Sequence, residues 1–227
     1  MKFLKKFNTE EEYEAYLNSD DFVRPCVARI VDDKAVRYKK RYKNVVYVQH
    51  VDGKLFTTEQ WTEKGFANDV ANGVAVATNK VEIVIAKESL GLKYWSSDFY
   101  NAVDGIMITT DSAIAMTDYM GYNNTSLMLA TDTSGAGFSC ANYAFPNGQK
   151  GYLPSLGEWV EAYKYKTLIN EAMSLIGGAK IPTNDKHWSS TQEEANSAWN
   201  FDWSKGLVDT HYKYYSGQFL VRPFTTL

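Results

Sequence analysis

The sequence predicts an α+β fold of twisted antiparallel strands with two helices and long loops, preceded by a small helix–hairpin module. Three observations predict it. Short β-type runs bounded by turn residues recur along the chain, and Asp52-Gly53 is the strongest hairpin signal. Helix-start signals stand at Thr9, Asp111 and Ser155. With 227 residues, 44% of them hydrophobic, the chain can bury the core of one large domain plus an appendage.

Residues 1–43 are predicted to form a small N-terminal module. Thr9 and Glu12 make a capping box that starts a helix over Glu10–Leu17. Two β patterns follow, Cys26–Val31 and Ala35–Tyr38, joined by a turn at 32–34. Because so small a unit has little core of its own, we expect it to pack on a neighbouring protein or on further copies of the chain. A homo-oligomer is expected, with a trimer among the candidates.

Residues 44–227 are predicted to form the main domain. A helix capped by Asp111 is expected to run to Met120 and stop at Gly121, before a long polar loop over 122–147. Ser155 and Glu158 form a second capping box, and the apolar face that follows predicts one helix as far as Ile176. Strands are expected at 45–51, 73–77, 81–86, 198–203, 207–212 and 218–223.

Charge and hydropathy exclude several classes of partner. The net charge is −3, from 24 basic and 27 acidic residues, which does not favour nucleic acid. No run approaches the roughly 18 apolar residues of a transmembrane helix, and residues 1–16 lack a secretory signal. We therefore expect cytosolic synthesis without membrane insertion, and any role outside the cell would need another route of release, such as cell lysis.

Reactive residues do not form a recognisable catalytic or metal-binding set. Cys26 and Cys140 match no metal spacing and are interpreted as small core residues of a reduced protein, with a single bridge between them as the alternative. His50, His187 and His211 are scattered, so no metal and no cofactor are expected. No nucleophile comes with a recognisable base, so the sequence favours a protein that is not an enzyme.

Aromatic residues are abundant, with 16 Tyr and 6 Trp, as is typical of binding surfaces. Trp199, Phe201 and Trp203 alternate along one predicted strand, where the first two are assigned to the core and Trp203, beside a turn, could be either buried or exposed. The cluster at 211–215 is aromatic on both faces of its strand, so one face is expected to point toward solvent or a partner.

Four motifs then give a family resemblance: Asp118-Tyr-Met-Gly-Tyr-Asn-Asn-Thr125, Gly151-Tyr-Leu-Pro-Ser-Leu-Gly-Glu-Trp159, His187-Trp-Ser-Ser-Thr191 followed by Ala198-Trp199, and Val221-Arg-Pro-Phe224. In this order they resemble the C-type-lectin-like fold of the formylglycine-generating-enzyme branch. Within it the chain is similar to phage tail proteins and to variable proteins of diversity-generating retroelements in Bacteroides-type phages. The resemblance covers residues 44–226. The calcium-dependent sugar motifs of classical C-type lectins are absent.

This resemblance implies a rigid scaffold that presents a recognition surface between the WSS and VRP motifs. It assigns Trp188, Trp199, Arg222 and Pro223 to the scaffold. The candidate ligand-binding residues are the polar and aromatic ones of that span, whose types suit recognition: Gln192, Asn200, Asp202, Trp203, Ser204, Asp209, His211, Tyr212, Tyr214 and Tyr215.

The leading hypothesis is a receptor-binding protein of a phage tail or prophage, or a target of a diversity-generating retroelement, whose ligand is a bacterial surface protein or glycan. It would act on the virion or cell exterior, and residues 1–43 would join it to other virion proteins. A first alternative is a structural virion adaptor or decoration protein without a receptor role. A second is an enzyme related to formylglycine generators, for which Cys140 is the one nucleophile candidate.

Overall fold

The computed structural model describes residues 4–17, 26–31, 36–42, 44–182, 185–214 and 218–227. Within these ranges the chain folds as α+β. The strands, in chain order, are β1 (Leu4–Phe7), β2 (Cys26–Val31), β3 (Val36–Arg41), β4 (Val46–His50), β5 (Leu55–Phe56), β6 (Ala71–Ala77), β7 (Glu82–Ile85), β8 (Leu92–Lys93), β9 (Lys186–Glu194), β10 (Ser197–Asp202), β11 (Leu207–Tyr212), β12 (Phe219–Leu220) and β13 (Phe224–Thr226). The helices are α1 (Glu10–Leu17), α2 (Thr58–Lys64), α3 (Ser112–Ala115), α4 (Gly121–Met128), α5 (Ala136–Asn142), α6 (Leu156–Tyr163) and α7 (Lys166–Leu175).

The N-terminal residues form a three-stranded sheet in the order β1-β2-β3. The predicted helix α1 and strand β2 are confirmed, and β3 begins one residue later than predicted. Strand β1 was not predicted; it pairs parallel to β2, with α1 as the connection. Phe7 and Tyr13 are buried against each other with ring centroids 5.3 Å apart, which gives this unit its small core. The predicted turn at 32–34 lies outside the described residues.

Two five-stranded sheets build the rest. The central sheet has the order β13-β7-β6-β4-β5, and the C-terminal sheet has the order β11-β10-β9-β12-β8. The predicted hairpin of β6 and β7 is confirmed. Helix α6 packs on β9 and β10 whereas α7 packs on β4 and β6, so the two helices join the sheets through one core. That core holds the predicted core residues Trp199 and Phe201.

The prediction of a loop over 122–147 is wrong, because the segment contains α4 and α5. Their residues are small and polar, so no apolar periodicity marks them. Tertiary packing stabilises them instead: Met128 of α4 and Cys140 of α5 are buried in one cluster, and Gly137 lies against Met128 so closely that a Cβ there would collide with its sulfur. The helix predicted to reach Met120 is short and ends at Ala115, and Gly121 begins a helix rather than ending one.

The helix predicted over 155–176 is two helices. The predicted capping box is present, since the Ser155 hydroxyl and the Glu158 carboxylate satisfy the first turn of α6 reciprocally. The backbone of Tyr165 then leaves helical geometry (φ −116°, ψ 22°), and α7 starts in a new direction at Lys166. An amphipathic pattern that continues across such a break does not reveal it.

Asp118 joins three of the sequence motifs. Its carboxylate accepts hydrogen bonds from Asn124 Nδ2 at 2.9 Å and Thr191 Oγ1 at 2.7 Å. Its backbone carbonyl accepts from Ser155 Oγ at 2.7 Å. These three motifs, remote from one another in the chain, therefore meet in one buried hydrogen-bond network.

Tryptophan side chains pin loops to the C-terminal sheet. The indole N–H of Trp188 donates to Lys93 O at 2.9 Å, and that of Trp199 donates to Thr109 O at 2.9 Å. Arg222 is buried with its guanidinium donating to Ala86 O and Ala179 O. The residues assigned to the scaffold, including Pro223, are all buried.

Candidate recognition surface

Six aromatic rings form a continuous row across the C-terminal sheet and the loop after β8. In order they are Tyr94, Phe99, Tyr214, Tyr212, His211 and Phe219, here called the aromatic row. Successive ring centroids are 6.3, 6.0, 5.7, 6.3 and 5.3 Å apart. Tyr212 and Tyr214 are stacked, and most of the other pairs meet edge to face, which are the geometries that aromatic pairs prefer.

The row lies at an accessible edge of the molecule. Strand β11 is the last strand of the C-terminal sheet and pairs only with β10 among the described strands. Tyr212 is 51% exposed, and Tyr100, next to Phe99 in the chain, is 80% exposed. At the other end of the row, Phe219 packs on the buried Trp188 at 4.7 Å. The rings are therefore accessible along the row, while the Phe219 end is fixed to the core.

Lys213 fixes the tyrosines on either side of it. Its side chain is buried, and its ammonium donates to Gln192 Oε1 at 2.9 Å, Ala195 O at 2.7 Å and Asn101 O at 3.1 Å. Burial lowers the pKa of Lys213 to about 8, and the nearby Asp98 opposes that shift. Two of these oxygens come from the end of β9 and the β9–β10 turn and the third from the 98–101 loop, so this one side chain joins both segments to the end of β11.

Loop 98–101 is also held by its own side chains. Asp98 Oδ1 accepts from the backbone N–H of Tyr100 and of Asn101, each at 3.2 Å. Hydrogen bonds from Asn101 and from Tyr100 hold the pKa of Asp98 below its usual value. The tight turn places Phe99 between the rings of Tyr94 and Tyr214.

Three of the predicted ligand-binding residues are buried, and for them the prediction is wrong. Trp203 is fully buried against Trp159 and Tyr163, because the β10–β11 turn folds it back under α6. Gln192 is buried, and its side chain exchanges hydrogen bonds with the backbone of Val103 at 2.8 and 3.0 Å. Asn200 is also buried, on strand β10 between β11 and β9. None of the three is available to a ligand.

Asp202 and Ser204 are half-buried and shape the β10–β11 turn. Asp202 Oδ1 accepts from the backbone N–H of Ser204 at 2.9 Å and of Lys205 at 3.2 Å. Gly206 completes the turn with φ +70°, a conformation that side chains disfavour. These residues support the surface from one end and do not belong to the aromatic row.

Asp209, His211, Tyr212 and Tyr214 remain accessible and lie together, while Tyr215 is outside the described residues. Asp209 forms an ion pair with Lys186, whose ammonium lies 5.7 Å from the centroid of the Phe219 ring. Three residues of the row were not predicted from the sequence: Tyr94, Phe99 and Phe219. Tyr94 and Phe99 precede the span between the WSS and VRP motifs, and Phe219 lies at its far end. The aromatic run Tyr94-Trp95 and Phe99-Tyr100 was the signal that could have found them.

The reactive side chains that the structure describes bear on the sequence predictions for Cys140 and for metal ligands. Cys140 is unbridged and fully buried, and burial raises the pKa of its thiol well above the usual value. It is therefore a poor nucleophile. Among the described residues, no cluster of His, Cys, Asp and Glu could hold a metal ion, and no helix is long and apolar enough to cross a membrane.

The fold is similar to that of a fimbrial protein from Bacteroides ovatus, known from a crystal structure. The match has a TM-score of 0.61 at 15% sequence identity and covers 88% of this chain. This chain spans half the length of that protein, 50%. No protein-family model and no curated protein matches the sequence. At this identity the likeness establishes a shared fold.

Proposed function

We propose that the protein binds a receptor or ligand through the aromatic row, displayed on a C-type-lectin-like scaffold. The observation that carries the proposal is the stacked pair Tyr212 and Tyr214 at a sheet edge. Their ring centroids are 5.7 Å apart, and the Tyr212 side chain is half exposed. Rigid rings with polar tips give contact area at little cost in conformational entropy. They are also the residues that most often dominate binding energy.

The ligand that suits this surface is a bacterial surface protein or glycan. Polar groups lie beside the ring faces of this surface: the Tyr hydroxyls, the His211 imidazole and the Asp209–Lys186 ion pair. The surface therefore suits a ligand of mixed polarity. The order of the four motifs supports a phage tail or retroelement-diversified protein as the setting. In that setting the N-terminal sheet would join the protein to other virion proteins or to further copies.

Binding to intact bacteria and to an immobilised glycan array tests the proposal. The wild-type protein is compared with Tyr212→Ala and Tyr214→Ala, and with Leu168→Ala on α7 as a control that removes a different exposed apolar side chain. We expect the two tyrosine variants to lose at least about tenfold in affinity for the same target, and the control to lose none. Equal binding by all four proteins would contradict the proposal.

A second candidate is a structural subunit of a surface fibre or virion. The observation that favours it is the fold shared with the Bacteroides ovatus fimbrial protein over 88% of this chain. In this case the aromatic row would be covered by a neighbouring subunit. Imaging of the assembled particle decides between the two, because a receptor-binding surface must remain uncovered.

A further inference from the structure

A pocket distant in sequence from the aromatic row lies where α4 begins. Its volume is about 190 Å³. Tyr119, Tyr122 and Tyr152 contribute to its wall, together with Lys80 and Glu82 from the β6–β7 hairpin, and the Glu158 side chain reaches it from α6. Tyr122 is largely exposed and packs edge to face on the buried Tyr152 at 6.0 Å. The pocket thus combines aromatic walls with a carboxyl group.

The carboxyl group of Glu158 is buried without a countercharge. Its oxygens accept from Ser155 N at 2.8 Å, Ser155 Oγ at 3.1 Å and Tyr152 Oη at 3.0 Å. These are neutral donors, and the first turn of α6 adds only a partial positive charge. Of the other titratable groups nearby, Asp118 is acidic and adds repulsion, Tyr152 is the neutral donor already named, and Lys80 and Glu82 line the same pocket. No described cation forms an ion pair with Glu158.

Glu161, one turn further along α6, provides an internal comparison. It is equally buried, but its carboxylate forms an ion pair with Lys164 at 2.6 Å. The same helix therefore carries one buried carboxylate with a cation and one without. An unpaired buried charge is costly and is normally neutralised or paired.

We propose that this pocket binds an organic ammonium group, which pairs with the Glu158 carboxylate and packs against the tyrosine rings. The aromatic faces attract cations, and the chain shows this itself, since the Lys80 ammonium lies 5.6 Å from the centroid of the Tyr119 ring at the mouth of the pocket. Glu82, which lines the same pocket and accepts a hydrogen bond from Tyr42 Oη at 3.0 Å, adds a second acidic group. A quaternary ammonium and the primary ammonium of a lysine side chain share this chemistry. The inference is independent of the proposed function of the aromatic row.

Gly121 shapes one side of the carboxylate's surroundings by packing directly on Glu158 Oε2. A Cβ at this position would collide with Glu158 Oε2, the backbone of Ser155 and the Tyr152 ring. The absence of a side chain lets α4 begin directly against the carboxylate. The wall beside Glu158 is therefore backbone and aromatic carbon.

Binding should depend on pH through Glu158. Burial raises the pKa of Glu158 to about 7, and the Asp118 charge adds to the shift, while the hydrogen bonds from Ser155 and Tyr152 oppose it. At pH 6 the carboxyl is mostly protonated, and at pH 8 it is mostly ionised. An ammonium whose own charge is constant should therefore bind about tenfold more tightly at pH 8 than at pH 6.

Titration of the full chain with choline, n-butylammonium and the neutral choline isostere 3,3-dimethylbutan-1-ol tests the proposal, with binding followed by NMR at the amides of Gly121 and Tyr122. We expect both cations to bind at millimolar concentration and the neutral isostere to bind at least about fivefold more weakly. Tighter binding of choline would indicate a quaternary ammonium ligand, and tighter binding of n-butylammonium a lysine side chain. Equal binding of choline and its neutral isostere would overturn the proposal.

Two variants remove the site and one serves as a matched control. Glu158→Gln keeps a side chain that can complete the capping box, and it should lower choline affinity about tenfold at pH 8 and abolish the pH dependence. Tyr122→Ala changes an exposed residue, so it tests the aromatic wall even if the buried variant fails to fold. Glu161→Gln should leave choline binding unchanged. Unaltered affinity in Tyr122→Ala, or in a folded Glu158→Gln, would overturn the proposal, whatever the outcome at Tyr212.

Discussion

The ammonium of Lys213 lies 4.5 Å from the centroid of the Trp95 ring, beneath the stacked tyrosines that flank it in the chain. Trp95 in turn donates its indole N–H to Ser189 O at 2.7 Å, on strand β9. The end of β11 is thus attached to the centre of the C-terminal sheet through a cation and a ring. Because of this attachment, packing within the core determines where Tyr212 and Tyr214 lie.

Replacing Lys213 with Met should loosen the loop that carries Phe99. The variant keeps the aliphatic stem but leaves Asn101 O and Ala195 O without their donor, which costs about 1–3 kcal/mol for each buried group and is partly offset by removal of a buried charge. We expect a net loss of about 2 kcal/mol in urea unfolding and faster amide exchange at 98–101. Lys205→Met, at an exposed turn, is the control. Unchanged exchange at 98–101 would show that Lys213 does not hold the loop.

Trp203 and Tyr212 should respond to truncation in opposite ways. Trp203→Ala opens a cavity under α6 and should lower the free energy of unfolding by about 3–5 kcal/mol. Tyr212→Ala removes an exposed ring and should lower it by less than about 1 kcal/mol. Thermal unfolding of both variants measures the difference. A large loss in Tyr212→Ala would place that ring in the core and remove it from the recognition surface.

Removing the Asp118 carboxylate should lower the free energy of unfolding more than neutralising it does. Asp118→Ala leaves Asn124, Thr191 and the N–H of Met120 without their acceptor, and should cost at least about 3 kcal/mol. Asp118→Asn keeps one acceptor oxygen and should cost less. Denaturant unfolding of the two variants checks the order. If both were equally stable, the carboxylate would not be organising the three motifs.

Glu158 and His187 should have opposite effects on stability between about pH 4.5 and 6.5. Burial raises the pKa of Glu158 from 4.5 to about 7, so the folded state binds the extra proton and this contribution falls as pH rises through the interval. Burial, with the charge of Arg222, lowers the pKa of His187 from 6.5 to about 3, so the unfolded state binds the extra proton and this contribution grows as pH rises.

Unfolding free energies measured from pH 4 to 8 separate the two groups. Relative to wild type, Glu158→Gln should gain stability as pH rises, by an amount on the order of 3 kcal/mol. His187→Leu should instead be least sensitive to acid. If the difference in unfolding free energy between Glu158→Gln and wild type does not change with pH, the Glu158 carboxyl does not titrate in this range.

The sequence predicted local structure well where local chemistry determines it. The Ser155–Glu158 capping box, helix α1 and the β6–β7 hairpin follow from residues close together in the chain, and all are present. At Thr9 half of the predicted capping box is present, since Thr9 Oγ1 accepts from Glu12 N while the Glu12 carboxylate accepts from Asn8 N. Helices α4 and α5 were missed because they depend on contacts between Met128 and Gly137 rather than on periodicity. The C-type-lectin-like classification stays a prediction that the α+β architecture accommodates.

The recognition surface was predicted in part. Alternation along a strand cannot say which face is covered, and Trp203 is buried because α6 covers it. Lys213 carried no signal, since its partners Gln192 and Asn101 are remote in sequence. Tyr94 and Phe99 join the row only because the fold brings the loop after β8 beside the end of β11.

The division between Lys213 and its neighbours has a practical consequence for protein engineering. Positions 209, 211, 212 and 214 are accessible, whereas Asn200, Trp203 and Lys213 are buried and anchor the same strands. A combinatorial library randomised at those four positions, with the three buried residues held constant, should consist mostly of folded members. Such a scaffold could be selected against new targets in the way that antibody loops are.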